Sequence, residues 1–223
     1  FFSKGVLLVE GDAERILLPT MARLFDANLD FDAMGITVCS IGGTNFAPYV
    51  RLLGPKGLDI PFAVLTDFDP KGSTVSQEDA DPDDEGATDS YGTNRVVNQI
   101  MQHLMDSNEW DATTFSEVLA KAPKSGVFLN EFTFEVDLFR AGMNAVFLEA
   151  VKGLSSNKKM HGRFQALVED PSTLDPVKLL KDIDSIGKGR FAQRLAAVMI
   201  DKKVTACPKY ISDAFAHLRD HLK

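Results

Sequence analysis

Gly5-Val-Leu-Leu-Val-Glu-Gly-Asp-Ala-Glu14 is the stretch on which the fold turns. Its first five residues are a short, wholly apolar run bounded by charge, the pattern of a strand buried on both faces. Glu10-Gly11 ends that run. From Asp12 to Phe25 apolar residues recur at 16, 17, 18, 21, 24 and 25, which is helical spacing, with Asp12 expected as N-cap and Glu14 in the first turn. Further on, residues 35–41 read as a second strand that stops at Gly42-Gly43, and residues 45–53 as a helix. Residues 60–66 read as a third apolar strand, ending in Asp67-Phe-Asp-Pro70. Doubly apolar strands alternating with helices predict an α/β fold built on a parallel sheet flanked by helices.

Residues 71–91 are rich in Gly, Ser, Asp and Pro without periodicity, so a long acidic loop is expected there. Its aspartates at 79, 81, 83 and 84 lack the mid-loop Gly and terminal Glu of a calcium loop, so they read as solvating charge. A helix is expected over 94–105, strands over 126–129 and 132–138, and a helix over 141–152. The remainder reads as helices over 160–168, 176–184, 190–200 and 210–222, with no internal repeat. The expected organisation is a core over 1–140 that includes the loop 71–91, and a mostly helical segment over 141–223.

With 44% hydrophobic and 25% charged residues over 223 positions, the chain is neither disordered nor fibrous. No apolar run approaches the ~18 residues of a membrane-spanning helix, so no membrane partner is expected. Cys39 and Cys207 are too few for a disulfide framework, which points to a reducing, cytoplasmic setting. The opening Phe-Phe-Ser-Lys-Gly lacks an initiator Met and a basic signal region, so the chain reads as a piece of a longer protein. The net charge of −8 at first argues against nucleic acid. Yet residues 67–89 alone hold nine acids and one base, and residues 152–223 hold 14 bases against 8 acids. An acidic centre beside a basic, phosphate-attracting segment has this polarity.

In an open parallel sheet, function collects at the carboxyl ends of strands. There the sequence places Glu10 and Glu14 after the first strand and Asp67 and Asp69 after the third. If the backbone stays extended, Asp67 and Asp69 point to the same side. Two unit charges ~4 Å apart at an effective dielectric near 20 repel by about 4 kcal/mol. Such a cluster either takes up protons or holds divalent cations, and hard oxygen ligands favour magnesium, manganese or calcium.

Val9-Glu10-Gly11-Asp12-Ala13-Glu14 followed some fifty residues later by Asp67-Phe68-Asp69 resembles the Toprim signature of topoisomerases, bacterial primases and several nucleases. More narrowly, the chain resembles the C-terminal catalytic region of the overcoming-lysogenization-defect (OLD) family nucleases. Gly42-Gly43, Thr133-Phe-Glu-Val-Asp-Leu138 and Gly187-Lys-Gly-Arg-Phe-Ala192 carry that narrower likeness. The resemblance implies a Toprim core over 1–140 and a metal-dependent endonuclease that nicks or cleaves DNA with two divalent ions. It also implies an ABC-type ATPase domain ahead of it in the same longer chain, and leaves room for an oligomer in the full-length protein. No Gly-x-x-x-x-Gly-Lys-Ser/Thr occurs here, so that ATPase lies outside this sequence.

Chemical roles follow from that expectation. Two-metal hydrolysis needs one ion at the attacking water and one at the leaving oxygen. Asp67 is expected to bridge them, with Glu10, Glu14 and Asp69 around the first ion and Glu10 also available as general base. On the expected strand 132–138, Thr133, Glu135 and Asp137 share a face, which makes Glu135 and then Asp137 ligands of the second ion. Lys188, between two glycines at a helix start, is placed to stabilise the phosphoryl transition state, with Arg190 next in line. Ser40, Gly42 and Gly43 border the same end of the sheet.

Two rivals remain open on the sequence. A haloacid-dehalogenase-type phosphatase also uses an apolar strand followed by Asp-x-Asp, but here the fifth position is Lys71, the motif sits on the third strand, and Glu10 is left idle. A non-catalytic Toprim-like module for nucleic acid or partner binding is the other. His217 and His221 lack a third zinc ligand, and Tyr49, Tyr91 and Tyr210 lack the context of a strand-transferring nucleophile.

Overall fold

The computed structural model describes residues 3–71 and 90–222. The interior of the expected acidic loop 71–91 therefore lies outside the described residues. In chain order the elements are β1 (Gly5–Val9), α1 (Asp12–Phe25), α2 (Phe31–Met34), β2 (Ile36–Ser40), α3 (Ala47–Leu53) and β3 (Phe62–Thr66). Then α4 (Tyr91–Asn94) continues through a π-helical stretch, Arg95–Met101, into α5 (Gln102–Leu104). Next come α6 (Ser107–Asp111), α7 (Phe115–Lys121) and β4 (Val127–Leu129). The rest is helical: α8 (Phe134–Leu138), a second π-helical stretch Phe139–Met143, α9 (Asn144–Leu154), α10 (Lys158–Glu169), α11 (Pro176–Ile186), α12 (Lys188–Lys202) and α13 (Lys209–His221).

Among the described residues four strands pair in parallel in the order β2-β1-β3-β4. After β2 the chain crosses to the other side of β1, so the order reverses between β1 and β3. The carboxyl ends of those two strands therefore flank the switch point, where a crevice opens because the connections leave in opposite directions. Glu10 follows one of these strands and Asp67 the other.

Two apolar cores explain why the strands look apolar throughout. Leu7 and Val9 of β1 and Ala63 and Leu65 of β3 face one core, while Val6, Leu8, Phe62 and Val64 face the other. This is the two-residue alternation of a sheet covered on both sides. The first core is completed by α1 and the helices from α8 to α13, the second by α3, the helix around Val96–Met101 and Val118 of α7. Residues before and after position 140 thus share one core, and α12 packs along α1. Among the described residues no helix is long and apolar enough to cross a membrane.

Two local expectations are corrected, and three short helices stand where none was expected. Gly11, extended and without a side-chain cap, is the N-cap of α1, and Asp12 is instead its first helical residue, paired with Arg15. The strand expected over 132–138 is the helix α8, entered through an extended Thr133. Its alternation of Phe, Val and Leu with Thr, Glu and Asp imitates a strand, but every residue of α8 is buried, and tertiary burial overrides so short a pattern. Acids in the first turn also suit a helix N-terminus. Finally, α2, α6 and α7 are short helices that carry no clear period in the sequence.

Candidate metal centre

A cleft of 550 Å³ opens at the switch point, lined among others by Glu10, Glu14, Asp67, Glu135 and Lys188. Five elements deliver these side chains. Glu10 comes from the end of β1, Glu14 from the first turn of α1 and Asp67 from the end of β3. Glu135 comes from the first turn of α8 and Lys188 from the start of α12. Gly187 precedes Lys188 with φ +94°, a conformation in which glycine is strongly favoured, and this tight joint between α11 and α12 aims the lysine. Gly42 and Gly43 also border the cleft, with φ +69° and +152°. A Cβ on either would meet open space, so it is the backbone conformation that calls for glycine; the Gly43 amide donates to the Glu10 carbonyl at 3.1 Å.

Behind the cleft lies Arg95, which the sequence reading did not single out. Its side chain is 4% exposed. Nη1 donates to Glu10 Oε1 at 2.7 Å, to Thr66 Oγ1 at 2.7 Å and to the Asp67 carbonyl at 3.2 Å, while Nη2 donates to Asp69 Oδ2 at 3.0 Å. Glu10 Oε1 also accepts from the Asp67 amide at 2.9 Å and from the Thr66 hydroxyl. One guanidinium therefore ties the ends of β1 and β3 together. Asn130, just beyond β4, does the same for β3 and β4: its Oδ1 accepts from the Phe68 amide at 2.6 Å and its Nδ2 donates to Asp67 Oδ1. The strand-end rule that picked out Glu10 and Asp67 would have found Asn130 had it been applied to β4. Arg95 left no such signal, since it merely adjoins the apolar positions 96, 97, 100 and 101.

Several expected site residues go elsewhere. Asp69 has φ +50°, so the backbone is not extended there and the side chain turns away from Asp67 to Arg95. It is absent from the lining of the cleft. Glu135 and Asp137, which a strand would have put on one face, are two residues apart on a helix and diverge by about 200°. Glu135 enters the cleft, whereas Asp137 lines a separate cleft and its Oδ2 accepts from the Glu131 and Phe132 amides at 2.7 and 3.2 Å. Arg190 is exposed and does not line the cleft.

The electrostatics are those of an acid cluster short of positive charge. Burial pushes Glu14 up to about 8, and Glu135 adds to the shift. Burial also raises Asp67 well above the usual carboxylate range, with Glu10, Glu14, Asp69 and Glu135 all contributing. Glu135 is raised by burial against the pull of Lys188, and Glu10 by burial against that of Arg95. Burial would lower Lys188, but Glu135, Asp184, Asp67 and Glu14 outweigh it and hold the ammonium above its ordinary value. Lys188 nevertheless reaches solvent, being 52% exposed, with Asp184 at 3.9 Å.

Carboxylates crowded into one cleft, Glu135 buried and the others partly so, are a donor set suited to hard divalent cations. The fit is one of chemistry and position: among the described residues no three His, Cys, Asp or Glu side chains form a ready-made metal cage. Glu10, Glu14, Asp67 and Glu135 surround the space in which ions would be held.

The family description "Overcoming lysogenization defect protein-like, TOPRIM domain" matches residues 1–69. Among solved structures, the C-terminal region of the Burkholderia pseudomallei OLD protein is 36% identical, with a TM-score of 0.82 and 100% of each chain covered. The C-terminal region of the Xanthomonas campestris pv. campestris OLD protein, phased with iodine, is 38% identical with a TM-score of 0.77, covering 100% of this chain and 97% of that one. No curated protein matches the chain. The parallel sheet, the strand-end acids and likeness along the whole length lead to one conclusion: this chain belongs to the OLD family, as its C-terminal Toprim region.

Proposed function

We propose that the chain is the catalytic part of a DNA endonuclease that cleaves phosphodiester bonds with two divalent ions held in the switch-point cleft. The observation that carries this reading is the convergence of Glu10, Glu14, Asp67 and Glu135, from four separate elements, on one cleft that Lys188 also borders. Glu10, Glu14, Asp67 and Glu135 would hold magnesium or manganese there, with calcium able to occupy the site, and magnesium or manganese when bound would supply the positive charge that activates water and stabilises the leaving oxygen. The ligands proposed are Glu10, Glu14, Asp67 and Glu135, with Asp67 central because it feels the other three acids and Asp69. Asp69 and Asp137 are left out, since neither lines the cleft.

Three donors fix Glu10 through Oε1, which orients Oε2 without consuming it, so Glu10 serves as ligand and general base. Lys188, solvent-reaching and firmly protonated, binds the scissile phosphate and stabilises the charge that grows on it. A catalytic core over 1–140 and a helical segment over 141–223 belong to the same proposal, with α12 bringing the second segment's lysine to the first segment's acids. The relatives are C-terminal regions of OLD proteins, and an N-terminal ATPase domain in the longer chain is the proposed partner besides DNA.

Supercoiled plasmid incubated with magnesium or manganese tests the reading. The chain should nick it, and Asp67→Ala and Lys188→Ala should each slow nicking by about 10²-fold or more. A wild-type chain that binds plasmid but leaves it intact with every metal is a binding module. Phosphate release from small phosphomonoesters without nicking would identify a phosphatase.

A further inference from the structure

The turn that follows β3 is pinned through its backbone. The Asn130 amide donates to the Thr66 carbonyl at 3.2 Å, which carries the β3–β4 ladder past the end of β4, and the Asp69 amide donates to the Phe132 carbonyl at 3.1 Å. From the other side the Gly92 amide donates to the Phe68 carbonyl at 3.0 Å, the Tyr91 amide to the Asp69 carbonyl at 3.0 Å and Arg95 Nη1 to the Asp67 carbonyl at 3.2 Å. These bonds fix where Asp67 stands, but not where its carboxylate points. Glu10, Glu14, Asp69 and Glu135 all repel that carboxylate. Among the described residues a single hydrogen bond reaches it, from Asn130 Nδ2 to Oδ1.

Asn130 is 5% exposed, and both ends of its side-chain amide are in use. Oδ1 accepts from the Phe68 amide at 2.6 Å. Nδ2 meets the Asp67 carboxylate, and the side chain is also the hydrogen-bond partner of the Tyr210 hydroxyl, in the first turn of α13. Turning the amide over would set its carbonyl oxygen against a carboxylate and its NH2 against a backbone N–H, so only one orientation satisfies every partner. A donor facing an ionised acceptor makes one of the stronger hydrogen bonds. It takes up Oδ1 of Asp67 and leaves Oδ2 without a protein donor. We propose that Asn130 is a positioning residue, which holds the Asp67 carboxylate toward the cleft against the repulsion of its acidic neighbours and so prepares the site for a divalent ion. The proposal rests on the metal-centre reading of the cleft. Replacing a side chain that holds a metal ligand from behind typically costs about 10–100-fold in metal affinity.

The test is a calorimetric titration with manganese, run well below the melting temperature, with melting in EDTA measured alongside. Asn130→Ala should bind manganese about 10–100-fold more weakly than the wild type. That variant also gives up the Phe68 bond and should melt lower, so a second variant separates positioning from stability. Val127→Ala removes buried apolar volume from β4, on the side of the core that holds Val64 and Ile100 and away from Asp67. It should lower the melting temperature yet bind manganese within about twofold of the wild type. Unchanged affinity in Asn130→Ala, or an equal loss in Val127→Ala, overturns the proposal and leaves the metal centre standing. A wild type that takes up no manganese overturns the metal-centre reading and the proposal with it. A wild type that needs Asn130 to bind manganese but nicks no plasmid keeps the proposal and loses the endonuclease reading.

Discussion

Arg95→Met strikes the joint on which the acid cluster is built. Methionine keeps most of the apolar stem and removes the guanidinium. The arginine is 4% exposed and its partners Glu10 and Asp69 are 16% and 12% exposed, so water replaces little of what is lost. Removing one partner of a buried ion pair costs about 3–5 kcal/mol, because the remaining charge is left uncompensated. Here two carboxylates, the Thr66 hydroxyl and the Asp67 carbonyl lose a donor together, which places the loss near the top of that range. For a chain of this size about 5 kcal/mol corresponds to a fall of roughly 10–20 °C in melting temperature. Arg95→Lys keeps the charge but not the fork that spans two carboxylates, so it should fall between. Adding Glu10→Gln and Asp69→Asn to Arg95→Met removes the stranded charges and should recover most of the loss. Calorimetry in EDTA at neutral pH measures all four proteins. A methionine variant melting within about 2 °C of wild type would refute the claim that Arg95 neutralises these acids.

The pH dependence has a definite sign. Glu14 rises from 4.5 to about 8 on folding, and Glu10, Asp67 and Glu135 are raised too, so the metal-free folded chain binds more protons than the unfolded one. That stabilisation is fully present below the unfolded carboxylate value and is lost as pH rises through the folded value. Melting temperature in EDTA should therefore drop between about pH 5 and pH 8, with Glu14 alone contributing on the order of 3–4 kcal/mol; a rise over that interval would contradict the shifts. Manganese should stabilise the chain at pH 8 more than at pH 5, read as a thermal shift, and Asp67→Ala should abolish that difference. Gly92→Ala should impair nicking and stability together, because its Cβ would sit 2.0 Å from the Asp67 carbonyl oxygen; unchanged melting would show that the helix start can move freely. Phe147→Ala, in the core shared by α1, α9 and α12, should cost about 3–5 kcal/mol in denaturant titrations without touching the cleft.

Much of this protein was open to reading along the chain, and the reason is periodicity. Apolar runs at 5–9 and 62–66 and the helical spacing after Asp12 depend on neighbours in sequence, so the parallel sheet and the strand-end positions of Glu10 and Asp67 were accessible. Glu135 and Lys188 came from the family likeness and do enter the cleft. The failures share a different cause. Asp69 turns away because one residue adopts φ +50°, and Asp137 parts from Glu135 because residues 134–138 coil where alternation suggested a strand. Both depend on which surfaces bury the segment, and that is not a local property.

By itself, then, the order of residues determined which acids stand at strand ends and how many there are, since these follow from two short repeats, period 2 and period 3.6. Only tertiary structure decided which of them face one another, because that depends on packing between segments far apart in the chain. It brought α12 against α1 to place Lys188, and it drew Arg95, 85 residues from Glu10, beneath the acids as their buried counter-charge. A charge deep in a protein is stable only where its partners converge, and convergence is a property of the fold.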